Sequence, residues 1–117
     1  MNKIQNTKQF DLEERTLKFA QNIIAYVKEP PKTLANSEVA KQLIRSVGSV
    51  GANYIEANES LSKKDFVMRI KICRKEAKES RYWLNLLETP NEVLRNKFIQ
   101  EATELMKIFG SILVKMK

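Results

Sequence analysis

The chain contains no histidine and a single cysteine, Cys73. The first absence removes the commonest general base and the usual nitrogen ligand of zinc. The second excludes an internal disulfide and any multi-cysteine metal site. Glycine and proline are scarce, three of each in 117 residues, which suits helices joined by short connections. No apolar run approaches the ~20 residues that span a bilayer. The stretch from Met1 to Gln9 is polar and lacks the apolar centre of a secretory leader. The expectation is a soluble, cytoplasmic protein with no membrane partner.

What is present is enough for one packed core. Apolar residues make up 43% of the chain and charged residues 30%, a balance that argues against disorder. Residues 1–117 read as one domain, with 1–9 as a frayed lead-in. Four helical patterns follow, with no competing strand-like alternation. The first opens at Asp11, with Leu12, Thr16, Phe19, Ala20, Ile23 and Val27 at helical spacing, and Pro30-Pro31 stops it. The second starts near Ser37, carries Ala40, Leu43, Ile44, Val47, Val50, Tyr54 and Ile55, and ends around Asn58 to Leu61.

The third helix starts from Ser62, with Asp65 in the position of a capping box. Its apolar line of Phe66, Ile70, Cys73, Ala77, Ser80, Leu84 and Leu87 advances by alternating steps of four and three, a heptad seam suited to a shallow bundle crossing. Thr89-Pro90-Asn91-Glu92 reads as the cap of a fourth helix bearing Leu94, Phe98, Ala102, Leu105, Phe109, Ile112 and Met116. Gly110 inside it suggests close packing. Short connections make neighbours antiparallel, so the predicted fold is all-α, an up-down-up-down four-helix bundle.

Two stretches stand out from that scaffold. No charged residue lies between Arg45 and Glu56, although a surface helix normally keeps one strongly polar side. Away from its apolar stripe this helix offers only Ser46, Gly48, Ser49, Ala52 and Asn53, so a second covering surface is expected, and in a short chain that is another copy. Arg45, Ser46, Ser49, Ala52, Asn53 and Glu56 are the predicted oligomer interface, with the polar members forming a network that fixes its register. The plain alternative is an exposed Arg and Glu that contribute little.

The second stretch concerns charge. The chain carries net +7 with a pI near 9.6. Residues 62–82 hold eight basic and three acidic residues, a net +5, so the excess is local and points to a polyanion. On a helical wheel Lys64, Lys71, Arg74, Lys75, Lys78 and Arg81 fall opposite the seam with Tyr82 among them, while Glu76 and Glu79 lie elsewhere. Lys71, Arg74, Lys75, Lys78 and Arg81 are the predicted phosphate contacts, with Tyr82 available to stack on a base. The plain alternative is a solvated lysine face. Met68, Ile72 and Trp83 form a second apolar edge, for a neighbouring helix or another subunit.

Catalytic patterns are lacking. No serine has a visible base, and Gly48 and Gly51 follow no strand, so they are no dinucleotide fingerprint. The inward positions are apolar, which leaves no carboxylate metal site. The chain reads as non-enzymatic, with no cofactor and no metal.

The string from Ile44 to Ala57, with Arg45, Ser46, Ser49, Val50, Asn53 and Glu56 at its centre, followed by Ser62-Lys63-Lys64-Asp65-Phe66 and Lys75-Glu76-Ala77-Lys78-Glu79, resembles the bacterial 23S rRNA-intervening-sequence proteins. The similarity runs from about Phe10 to Leu113. It departs at Gly51, where many members have Pro, and at Ala57, where many have Gly. The resemblance implies an antiparallel four-helix bundle, often a ring-like homopentamer, and no catalytic residues. The family name comes from genes inside insertions in ribosomal RNA genes. A related branch, the accessory variability determinant of diversity-generating retroelements, is a basic pentamer that works with a reverse transcriptase and nucleic acid.

Two functions are therefore expected, from different classes. One is a nucleic-acid-binding accessory protein for RNA or DNA, acting through the basic helix face. The other is a structural homo-oligomeric adaptor for a partner protein such as a reverse transcriptase.

Overall fold

The computed structural model describes the backbone of residues 3–117 and the side chains from Leu12 onward. Four helices follow one another: α1 (Lys3–Tyr26), α2 (Leu34–Asn58), α3 (Lys63–Leu86) and α4 (Glu92–Lys115), with no strand among the described residues. Each is about 36 Å long at the usual rise per residue. Cross-helix contacts run in opposite order along each neighbouring pair. Arg69 meets Asn53 and Ser80 meets Ser46; Arg81 meets Thr103 and Arg95 meets Leu84. The topology is thus up-down-up-down. The α2–α3 and α3–α4 pairs pack extensively, whereas α1 and α4 meet at few points.

The expected seam of α3 faces inward. Ile70, Cys73, Ala77, Ser80, Leu84 and Leu87 are buried, and Phe66 packs against the core from its edge. They meet Phe19 and Ile23 of α1, Leu43 and Val47 of α2, and Leu105 and Phe109 of α4. Two tilted aromatic pairs cross the interior, Tyr54–Phe109 at 6.1 Å and Tyr26–Phe98 at 5.1 Å. Gly51 lies where α1 comes close, since a Cβ there would stand 3.0 Å from Thr16 Oγ1. The Thr16 hydroxyl folds back to donate to its own helix, at the carbonyls of Leu12 or Glu13.

Several boundaries differ from the sequence reading. The backbone of α1 is already helical before Asp11, because nothing in the preceding residues breaks a helix. Residues 1 and 2 of the expected lead-in, and all of its side chains, lie outside the described residues. Helix α2 starts at Leu34 rather than near Ser37, because the Thr33 hydroxyl accepts the Asn36 N–H and supplies the cap. Ser62 caps α3 as expected, accepting the Asp65 N–H at 3.1 Å. The cap of α4 is Asn91 rather than Thr89, its side chain accepting the Leu94 N–H. Ile44 and Ile55 are 38% and 52% exposed, outside the core; each sits a full turn-third from the Leu43–Val47–Val50–Tyr54 line. A Cβ on Gly110 would meet nothing within 4 Å, so close packing is not the reason for that glycine.

One polar knot was not foreseen. Asn36 is buried; its amide donates to the carbonyls of Pro31 and Glu88, and its oxygen accepts the Glu88 N–H, all at 2.9 Å. A single side chain thereby ties the α1–α2 connection to the α3–α4 connection.

The buried Cys73 thiol reports on this core. Burial pushes its pKa up to about 12, so the thiolate needed for alkylation is absent from the folded state. We expect native-state thiol labelling to proceed only through unfolding. Leu84→Ala should accelerate it while costing roughly 2–5 kcal/mol in denaturant titrations. Stability should fall as pH rises from the ordinary thiol value of ~8.5 towards 12, because the unfolded thiol ionises first. Rapid labelling of native protein at neutral pH would contradict this burial.

Candidate nucleic-acid interface and the outer face of the second helix

The outer surface of α3 is shaped by what its neighbours cover. Both flanks of the helix are taken, by α2 and by α4, and only the side opposite the seam remains open. Lys71, Arg74, Lys75 and Lys78 stand exposed there, as does Lys64. None of them joins an ion pair among the described residues. Arg81 differs: it is half-buried and donates to Thr103 Oγ1 at 3.1 Å, across the boundary with α4. Tyr82 is 58% exposed at the end of the same face. Its ring meets that of Trp83 edge-on, with centroids 5.0 Å apart.

Acidic residues do not neutralise this face, because each nearby one is engaged or turned elsewhere. Glu79 Oε1 accepts from Arg45 at 2.6 Å and from the Trp83 indole N–H at 3.4 Å. Glu76 is buried rather than exposed on this face. On α4, Glu101 and Glu104 are engaged by Arg15 of α1, which reaches Glu101 through two hydrogen bonds of 2.7 and 2.8 Å and Glu104 through a third of 2.8 Å. Hydrogen bonding from Arg15 holds the Glu104 carboxyl below the usual range, and that from Glu101 raises Arg15 further above its own. These groups rim an open groove of about 710 Å³ between α1 and α4, floored by Phe19 and Phe98. Its lining of both signs offers no nucleophile–base pair.

The residues predicted as an oligomer interface come together, but mostly by contacts within the chain. Asn53 is the hub. Its amide donates to the carbonyl and the hydroxyl of Ser49, both at 2.9 Å, and its oxygen accepts from Arg69 at 2.9 Å. Arg45 reaches across to Glu79 as described. Ser46 is not on the outer face: it is fully buried against α3, its hydroxyl 2.9 Å from that of Ser80. Ala52, Glu56 and Gly48 are exposed, and a Cβ on Gly48 would meet nothing within 4 Å. Below them Glu56, Glu59, Asp65, Met68, Arg69 and Ile72 line a recess of about 440 Å³.

Sequence reasoning missed Arg69 and Glu79, the α3 partners of this network. The signal was available in the short connection between α2 and α3. An antiparallel turn centred near Leu61 and Ser62 sets Asn53 opposite Arg69 and Arg45 opposite Glu79. Glu76 was also missed. It is only 7% exposed, and its Oε1 has no hydrogen-bond partner among the described residues. Among those residues no group of His, Cys, Asp or Glu is arranged to hold a metal, and no helix is long and apolar enough to cross a membrane.

Comparison with known proteins agrees with this architecture. The family model described as 23S rRNA-intervening sequence protein matches residues 8–113. A crystal structure of a protein of unknown function from the S23 ribosomal protein family of Bacteroides thetaiotaomicron superposes with a TM-score of 0.75. It is 32% identical, and the match covers 91% of this chain and 97% of that one. No curated protein matches the chain.

Glu76 gives a prediction about energetics. A carboxylate oxygen held from water without a donor, as Glu76 Oε1 is, costs about 1–3 kcal/mol, and an apolar side chain of similar volume removes that cost. Glu76→Met should therefore raise stability by about 1 kcal/mol, read as a higher urea midpoint with unchanged slope. A lower midpoint would mean that the carboxylate is paired in solution.

Proposed function

The chain belongs to the 23S rRNA-intervening sequence protein family, and on that premise we propose that it is a non-enzymatic, homo-oligomeric accessory protein that binds nucleic acid through the basic face of α3. The observation that carries this reading is the set of exposed cations Lys71, Arg74, Lys75 and Lys78, none paired among the described residues. Unpaired cations in a row release counterions when they meet successive phosphates, which is the main source of sequence-independent affinity. Arg81 belongs to this set at its edge, its guanidinium shared with Thr103.

One helix face is a small surface. A closed ring repeats it, and repetition multiplies weak contacts when one strand reaches several copies. The contact between copies is assigned to the outer face of α2, around Ala52, Ser49, Asn53, Arg45 and Glu56, with five copies as the family resemblance implies. The exposed Gly48 and Ala52 support this assignment, since small side chains let a second backbone approach. An adaptor for a partner protein, such as a reverse transcriptase, is the other reading. It is favoured by Met68, which is 54% exposed beside the recess at the α2–α3 turn.

Two measurements test the proposal. Retention of RNA or DNA should be strong at low salt, fall steeply as salt rises, and be lost in Arg74→Glu/Lys78→Glu with the helical signal intact. Wild-type protein that retains neither at low salt would remove the nucleic-acid reading. Light scattering at micromolar concentration should give a multiple of the chain mass, and Ala52→Glu should lower it, because the contact would desolvate an unpaired charge. A wild-type monomer would defeat the assembly, and an unchanged mass in the variant would move the interface elsewhere.

A further inference from the structure

We infer that the nucleic acid taken by the basic face is single-stranded, and that Tyr82 is the residue that makes this selection by stacking on an unpaired base. The inference rests on the phosphate-binding role proposed for α3 and names the ligand class of that same face.

Three features carry it. First, Lys71, Lys75, Lys78 and Tyr82 follow one another at steps of four, three and four residues. They form one column about 16 Å long at helical rise, with the aromatic ring at its end. An extended strand lying along the column would set its phosphates on the lysines and bring a base over Tyr82. Second, the ring is open and has a packing partner. It is 58% exposed, and it meets Trp83 edge-on with centroids 5.0 Å apart. Trp83 is in turn held by its indole N–H on Glu79, and Glu79 by Arg45. A ring that already packs on a neighbour has less freedom to lose on stacking. Such stacking is tolerant of sequence, because every base has a π-face.

Third, α3 does not protrude. It lies between α2 and α4 in the side of the bundle, so it cannot sink into a major groove as an isolated recognition helix does. A duplex would meet this flat side through phosphates alone, with its bases stacked inside and out of reach of Tyr82. A strand with free bases gains the stacking contact in addition.

The test compares fluorescein-labelled oligothymidylate and oligouridylate with a hairpin duplex of equal phosphate number, by anisotropy at low salt. The wild type should bind both single strands more tightly than the duplex. Tyr82→Ala should weaken single-strand binding about tenfold, within the range found for stacked aromatics, and leave duplex binding and the salt dependence unchanged. Tyr82→Phe, which keeps the ring, should retain wild-type affinity. Equal affinity for strand and duplex, with no effect of Tyr82→Ala, overturns the inference and leaves the basic face standing. An equal loss on both ligands also overturns it, since Tyr82 would then be a general contact. Wild-type protein that binds none of the probes removes the phosphate-binding role itself.

Discussion

The close approach of α2 and α3 is the constraint on which the rest of this molecule depends. Small buried residues lie on this contact beside the larger apolar ones: Ser46 on one helix, and Cys73, Ala77 and Ser80 on the other. The Ser46 and Ser80 hydroxyls sit side by side, and the Cys73 thiol reaches the Val50 carbonyl at 3.4 Å. Small polar groups satisfied at short range let two backbones come together without leaving orphaned donors. Because the helices are this close, the longer side chains at the edges of the contact must interlock. Asn53 then meets Arg69, and Arg45 meets Glu79.

That lock has two outward effects. On α2 it gathers the polar residues into contacts with α3, which leaves a surface of small side chains centred on Gly48 and Ala52. On α3 it draws Glu79 towards α2 and away from the lysines. The sign segregation of the basic face is therefore not a matter of composition alone: the ion pair with Arg45 engages Glu79, a carboxylate on the same helix as the lysine column. The lysine face and the face of small side chains are two sides of one helix pair.

Much of this was legible in the sequence because the relevant signals are periodic. The seam from Phe66 to Leu87, the cap at Ser62 and the antiparallel order follow from spacing and short connections, and the structure has them. The exposed positions of Lys71, Arg74, Lys75 and Lys78 follow from the same wheel. What was not legible depends on pairing between helices. Ser46 looked like an outward residue because its partner Ser80 is distant in sequence. Ile44 and Ile55 looked like core because apolar character does not say which side of a helix is covered. Thr33 and Asn91 were passed over as caps in favour of neighbours that carry equally good signatures, and only the backbone path decides among them.

The Asn36 knot bears on how the protein ages. An asparagine followed by serine is chemically vulnerable, since the next backbone nitrogen can attack the side-chain amide and release ammonia. Here that nitrogen, of Ser37, is held by the Thr33 carbonyl at 2.9 Å in the first turn of α2. The amide it would attack is fastened on both of its ends. An aspartate formed at this position has no N–H to offer the Pro31 and Glu88 carbonyls, and it brings a negative charge into a closed site. The amide that ties this end of the bundle is thus built to be slow to decay for as long as α2 keeps its first turn.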